Sequence, residues 1–119
     1  MAAKILIVED DPVWRQILHR LMKSEKHEPI IAADALTALS VTQKEHPVLI
    51  LLDLGLPAGG GQIFLHRLRS FPKLKEIPVI IISGQDVEHA RATAPGAAAY
   101  LMKPVSHDEL LTVVRRVLG

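Results

Sequence analysis

The fold is decided by the stretch Val48-Leu49-Ile50-Leu51-Leu52-Asp53-Leu54-Gly55-Leu56-Pro57. Its leading apolar run is too short for a typical buried helix and is closed by turn residues, which is typical of a strand covered on both faces. Such strands belong to parallel sheets, where ligands bind beyond the carboxyl ends of the strands. Asp53 stands at this end of the strand and is therefore a candidate functional residue, although Asp is also common in ordinary turns.

The composition is that of one globular domain. The chain has 119 residues, of which 49% are hydrophobic and 23% are charged, and we expect residues 1–119 to form a single domain. The net charge of +1 gives no reason to expect binding to nucleic acid or to an anionic membrane. With no cysteine, no membrane-spanning apolar run and no signal peptide, the sequence predicts a cytoplasmic protein. The scattered histidines are expected mostly at the surface.

Three further apolar runs predict strands that also end on polar side chains. They are Lys4–Val8 before Glu9 and Asp10, Pro78–Ile82 before Ser83, and Ala98–Met102 before Lys103 and Pro104. Asp11 has a structural role of its own, because Asp at the N-cap followed by Pro12 at the first helical position is typical of a helix start. Glu9 and Asp10 have no such explanation. Taken singly, each polar residue could still be a solvated acid, a turn serine or a surface lysine.

The alternation of strand and helix, repeated five times, predicts an α/β fold with a doubly wound, five-stranded parallel sheet and helices on both faces. The three most apolar strands should be central. The weak strand Ile30–Ala33 and the strand Ala98–Met102 then lie at the edges, which is consistent with the order 2-1-3-4-5 of flavodoxin-like folds. A capping box at Ser106–Glu109 predicts the start of the last helix.

Two local predictions concern the middle of the chain. Asp34 is expected to cap a helix that carries the apolar residues Leu36 and Leu39. The glycine-rich run Pro57–Gly61 is expected to be a flexible loop that reverses the chain. It lacks the Lys-Ser/Thr of a P-loop and the G-x-G-x-x-G pattern, so a phosphate cradle is the less favoured interpretation.

If all five strands run parallel, then Glu9, Asp10, Asp53, Ser83 and Lys103 converge on one edge of the sheet. Two carboxylates 4 Å apart repel each other by about 4 kcal/mol at an effective dielectric near 20, and Lys103 supplies a single compensating charge. No His or Cys joins the set, so Mg²⁺ fits better than zinc. Asp53 beside such an ion can act as a nucleophile that forms an aspartyl phosphate. Ser83 and Lys103 would then contact the phosphoryl oxygens.

Four motifs follow one another through nearly the whole chain: Ile5-Leu6-Ile7-Val8-Glu9-Asp10-Asp11-Pro12, Leu51-Leu52-Asp53-Leu54-Gly55-Leu56-Pro57, Ile81-Ile82-Ser83-Gly84 and Tyr100-Leu101-Met102-Lys103-Pro104. In this order the sequence resembles the CheY-like response regulator receiver domains of two-component signalling. The resemblance implies that Asp53 accepts a phosphoryl group from a histidine kinase or a phosphotransfer protein. It also implies that Glu9 and Asp10 bind Mg²⁺ directly or through water, with the backbone carbonyl of Gly55 as a further ligand.

The same resemblance implies a switch. Ser83 and Lys103 would sense the phosphoryl group, and Tyr100 would swing inward as Ser83 moves. The output would pass to an attached output domain or to a downstream protein. A cis peptide bond is implied at Lys103-Pro104. Such a domain catalyses at most its own phosphorylation and dephosphorylation, so we expect a signalling domain rather than an enzyme.

Some positions depart from the commonest family pattern. Gly55 offers no side chain beside the phosphorylation site, which leaves the lifetime of the aspartyl phosphate open. Ser83 replaces the commoner Thr. Ala98 and Ala99 stand where receivers of transcription factors often carry acids, so the usual dimer is not assumed.

Alternatives stay open at this point. One is a pseudo-receiver that binds partners without phosphorylation, against which the intact acid set argues. Another is an enzyme on the same fold, either a metal-dependent phosphatase or a flavin-binding protein. The phosphatase would need a second acid where Gly55 stands, and the chain has few aromatic residues to stack on a flavin. The sequence names neither the kinase nor the output, and the receiver could stand alone or belong to a longer regulator.

Overall fold

Five strands alternate with five α-helices in the computed structural model, which describes residues 3–119. In chain order they are β1 (Lys4–Val8), α1 (Pro12–Ser24), β2 (Glu28–Ala32), α2 (Ala35–Glu45), β3 (Leu49–Leu52), α3 (Gly60–Ser70), β4 (Val79–Ser83), α4 (Val87–Thr93), β5 (Ala99–Met102) and α5 (His107–Leu118). All strand pairs are parallel, and the order is β2-β1-β3-β4-β5. The predicted fold class and strand order are therefore confirmed.

The helices cover both faces of the sheet. Alternate residues of the strands point to a core beneath α2, α3 and α4 on one face, and to a core beneath α1 and α5 on the other. Every residue of β3 is buried, as its unbroken apolar run predicts. Among residues 3–119, no helix has the length and apolar character that crossing a bilayer requires.

Backbone hydrogen bonds extend the sheet by one residue at its carboxyl edge. Asp53 donates its N–H to the last residue of β1 at 3.0 Å, and Glu9 donates its N–H to the last residue of β2 at 3.1 Å. Lys103 donates its N–H to the carbonyl of Ser83 at 2.8 Å. The sheet thus fixes the main chain of these three residues. The positions of their Cα atoms, from which the side chains extend, are therefore fixed as well.

Helix starts follow the predicted caps. The side chain of Asp11 accepts from the N–H of Val13, that of Asp34 from the N–H of Thr37, and that of Ser106 from the N–H of Glu109. Each bond satisfies one of the backbone donors that a helix leaves free in its first turn.

One local prediction is wrong. The run Pro57–Gly61 is not a flexible loop: residues 57–59 form a 3₁₀ turn, and α3 already begins at Gly60. Glycine is used here for close packing, since Gly60 and Gly61 are both buried. The predicted helix that carries Leu36 and Leu39 is confirmed as α2, which turns Ala38 toward the sheet and leaves Leu36 81% exposed.

Gly61 allows α3 to approach the turn after Asp53. A Cβ atom at this position would lie 2.7 Å from Cα of Leu54 and 2.8 Å from the carbonyl oxygen of Asp53. We expect Gly61→Ala to lower the free energy of unfolding by about 1–3 kcal/mol, because backbone atoms would have to move. Urea denaturation measures the change. Gly84→Ala is the matched control, since a Cβ there meets no atom within 4 Å, and equal stability of the two variants would contradict the packing argument.

Candidate functional site

Three carboxylates meet at the carboxyl edge of the sheet. Glu9 and Asp10 follow β1, and Asp53 follows the neighbouring strand β3. One carboxylate oxygen from each lies within 4.8 Å of the others. Glu9 and Asp53 are only 1% and 6% exposed, whereas Asp10 is open to solvent. The cluster therefore combines two buried acids with one that solvent reaches freely.

The ammonium group of Lys103 contacts both buried acids. Its Nζ atom lies 2.7 Å from Oε1 of Glu9 and 3.5 Å from Oδ2 of Asp53. The lysine side chain is only 15% exposed, so these charge contacts are poorly screened by water. Lys103 directly follows β5, and its peptide bond to Pro104 is cis. One ammonium faces three carboxylates, so negative charge remains in excess when all three acids are ionised.

Backbone N–H groups orient the same carboxylates. Oε2 of Glu9 accepts from the N–H of Asp11 at 3.2 Å, and Oδ1 of Asp53 accepts from the N–H of Gly55 at 2.9 Å. These bonds arise locally, because the chain turns immediately after each strand. Gly55 itself is exposed beside Asp53: a Cβ at Gly55 would lie 3.2 Å from Oδ1 of Asp53. The missing side chain thus leaves this side of the carboxylate open.

Burial and the neighbouring acid raise the pKa of Glu9. The largest cause is the loss of water around its carboxyl group, and Asp53 raises the pKa further, while Lys103 and the N–H of Asp11 lower it. The net result is a pKa of about 7, compared with an ordinary value of 4.5. In the absence of a metal ion, Glu9 therefore holds a proton in part of the neutral pH range.

Ser83 and Tyr100 lie on neighbouring strands β4 and β5. Ser83 is buried, and its Oγ accepts from the N–H of Gln85 at 3.2 Å. The hydroxyl of Tyr100 donates to the carbonyl of Ala94 at 2.6 Å and accepts from the N–H of Ala97 at 3.1 Å. The tyrosine is thus bonded to the segment between α4 and β5, and the hydrogen bonds of its hydroxyl do not involve the carboxylate cluster.

The sequence did not indicate one neighbour of the site. The apolar spacing along α1 places Trp14 only on the face that packs against the core, yet the ammonium of Lys103 lies 5.2 Å from the centre of its indole ring. The one feature of the sequence that could have indicated this neighbour is the position of Trp14 in the first turn of α1, shortly after the acids that follow β1. The contact itself depends on the assembled sheet, in which β3 and β4 separate β1 from β5, and no local pattern specifies it.

The donor set fits a hard divalent cation. Glu9, Asp10 and Asp53 offer only carboxylate oxygens, and the cluster contains neither the histidine nor the cysteine that zinc prefers. The exposed position of Asp10 suits Mg²⁺, which usually keeps several water ligands.

Residues 5–115 match the family described as the response regulator receiver domain. The chain belongs to this family. The resemblance seen in the four sequence motifs is thereby confirmed, and the receiver domain is a signalling module of two-component systems. The match covers the five strands, apart from Lys4 at the start of β1, and most of α5.

Known proteins similar to this receiver domain include two regulators. It is 32% identical over 120 residues to the phosphate regulon transcriptional regulatory protein PhoB of Escherichia coli strain K12. This match covers 99% of this chain and 52% of PhoB. The chain thus spans about half the length of the curated relatives matched first. It is 29% identical to the polar-differentiation response regulator DivK of Brucella ovis, over 100% of this chain and 98% of DivK.

A solved structure extends the comparison to a metal site. The receiver domain of the sensor histidine kinase PA1611 from Pseudomonas aeruginosa PAO1 has a TM-score of 0.91 and 25% sequence identity to this chain, and the match covers 100% of this chain and 99% of that one. In that protein a magnesium ion is coordinated in the active-site cleft.

The pKa of Glu9 predicts how the stability of the metal-free receiver domain depends on pH. Between pH 4.5 and about 7 the folded state retains a proton that the unfolded state has released, so stability falls as pH rises through this range. The rise in pKa corresponds to a loss on the order of 3 kcal/mol. Urea denaturation in a chelator measures it, with Glu9→Gln as the variant that lacks the proton. Parallel pH curves for the variant and the wild type would contradict the assignment.

Proposed function

We propose that this receiver domain accepts a phosphoryl group on Asp53 from a histidine kinase or a phosphotransfer protein, and that the modification switches a partner or output surface. The observation that carries the proposal is the pairing of a nearly buried Asp53 carboxylate with the Lys103 ammonium, beside two further acids. Buried carboxylates that share a single cation lower the stability of a fold. Clusters of this kind therefore often mark functional sites.

The proposed chemistry is a nucleophilic substitution at phosphorus. One oxygen of the Asp53 carboxylate forms a bond to the phosphorus atom, and the bond from phosphorus to the imidazole nitrogen of the donor breaks, so that the nitrogen leaves with the electron pair. Lys103 is placed to balance charge on the phosphoryl oxygens, because its Nζ is already 3.5 Å from Oδ2 of Asp53. Ser83 accepts a hydrogen bond from Gln85, so its own O–H can donate to a phosphoryl oxygen.

Mg²⁺ is the proposed cofactor. Glu9, Asp10 and Asp53 would hold it, together with the backbone carbonyl of Gly55, and when bound the ion supplies positive charge that offsets the carboxylates and the phosphoryl oxygens. Support comes from the oxygen-only donor set and from the magnesium ion in the similar PA1611 receiver domain.

The proposed switch couples Ser83 to Tyr100. A phosphoryl group on Asp53 carries roughly −2 charge at neutral pH, in place of the single charge of the carboxylate, and attraction of the Ser83 hydroxyl toward it would disturb the bond from Gln85. Tyr100 would then exchange its present hydrogen bonds to Ala94 and Ala97 for an inward position. The surface formed by α4, β5 and α5 would change shape for an output domain or a downstream protein. The resemblance to PhoB, a transcriptional regulator, supports an output of this kind.

Phosphodonor treatment tests the acceptor. With acetyl phosphate and Mg²⁺, we expect the intact mass of the wild type to rise by one phosphoryl group, and Asp53→Asn to remain unmodified because the amide is not a nucleophile of this kind. Asp34→Asn is the control, since Asn also serves as an N-cap and Asp34 lies at the start of α2. Labelling of Asp53→Asn equal to that of the wild type would disprove the assignment.

Metal binding should stabilise the fold. A ligand that binds the native state alone raises the free energy of unfolding by about 2.7 kcal/mol at one hundred times its Kd, so thermal denaturation should shift upward with Mg²⁺. We expect Asp10→Asn to weaken this shift. The matched control is Asp11→Asn, which keeps the α1 cap and lies outside the cluster of three acids. A shift in the Asp10→Asn variant as large as in the control would argue against Asp10 as a ligand.

A further inference from the structure

Trp14 contacts the functional cation of the site without contributing a charge. Its indole ring centre lies 5.2 Å from Nζ of Lys103. The residue lies in the first turn of α1, is partly buried, and packs against the core beneath α1 and α5. It is the one tryptophan of the sequence. Neither the metal cluster nor the proposed phosphoryl transfer assigns it a role.

We propose that Trp14 is a positioning residue that keeps the Lys103 ammonium beside Asp53 while the phosphoryl group is transferred. The inference rests on the proposed function of Asp53. At rest, the shortest contact of the ammonium is with Glu9, at 2.7 Å. This contact would weaken with the charge of Glu9 directed to a bound metal ion, and Lys103 would then need another neighbour to limit its motion.

An indole ring suits this task better than a carboxylate. Its face attracts a cation through the ring quadrupole, and the attraction increases when water is excluded, as it largely is around this lysine. The ring carries no net charge, so it does not repel the incoming phosphoryl group as another acid would. Trp14 can therefore hold Lys103 in both the resting and the reacting site.

The competing explanation is that Trp14 only packs α1 onto the core. Trp14→Leu separates the two, because leucine keeps an apolar side chain and removes the aromatic face. Trp14→Phe keeps a smaller aromatic face and should restore part of the effect. Leu21→Ala is the packing control: Leu21 is also partly buried on α1 and contacts the same core, about 10 Å further along the helix.

The first measurement is the rate of labelling by acetyl phosphate at saturating Mg²⁺. We expect Trp14→Leu to be about 5-fold slower than the wild type, which corresponds to about 1 kcal/mol, and Trp14→Phe to be intermediate. The Kd for Mg²⁺, obtained by calorimetry, should stay within about 2-fold, since the indole is not a ligand. Leu21→Ala should label at the wild-type rate even if it is less stable.

The second measurement needs neither metal nor phosphate. In the metal-free protein, the ring current of Trp14 should displace the proton resonances of the Lys103 ε-methylene group, and this displacement should vanish in Trp14→Leu and persist in Leu21→Ala. Trp14 emission should also differ between the wild type and Lys103→Met, which removes the cation and keeps an unbranched apolar chain.

The outcomes distinguish the two proposals. A wild type that takes up no label would overturn the proposed function and the positioning role with it. A wild type that labels normally, together with a Trp14→Leu variant as fast as Leu21→Ala, would overturn the positioning role alone. Identical Lys103 resonances in the wild type and in Trp14→Leu would overturn it as well.

Discussion

The ion pair between Lys103 and Glu9 is the interaction on which the site depends. It joins residues 94 positions apart in the sequence, just after β5 and β1, and it brings the same ammonium within 3.5 Å of Asp53, which follows β3. A buried charge pair of this kind is a weak source of stability, because both groups lose hydration. Its role is to hold an acidic cluster together at the edge of the sheet where the carboxyl ends of the parallel strands lie side by side.

Much of this arrangement could be predicted from the sequence, because it follows from chain direction. Three short apolar runs, each followed at once by polar residues, predict central parallel strands, and parallel strands bring Glu9, Asp53 and Ser83 to one edge of the sheet. Helix caps are local as well, so Asp11 was correctly predicted to begin α1. These features need only periodicity and the conformational preferences of single residues.

Other features depend on contacts between distant segments, and local patterns do not specify them. The glycines after Pro57 indicated a loop, yet α3 starts at Gly60, because only residues without side chains allow the helix to approach the turn after Asp53. The aromatic contact of Trp14 with Lys103 likewise needs the assembled sheet. Sequence periodicity assigns Trp14 to an apolar face, but it does not tell which side chain from another strand will lie beside the ring.

The central claim is that the folded state tolerates repulsion among buried carboxylates for the sake of its chemistry. The most direct test is the free energy of unfolding of Asp53→Asn in a chelator near neutral pH. Lys103 keeps its 2.7 Å contact with Glu9 in this variant while one negative charge is removed, so we expect stability to rise by about 1–2 kcal/mol, a fraction of the repulsion of a close pair. A variant less stable than the wild type would contradict the account.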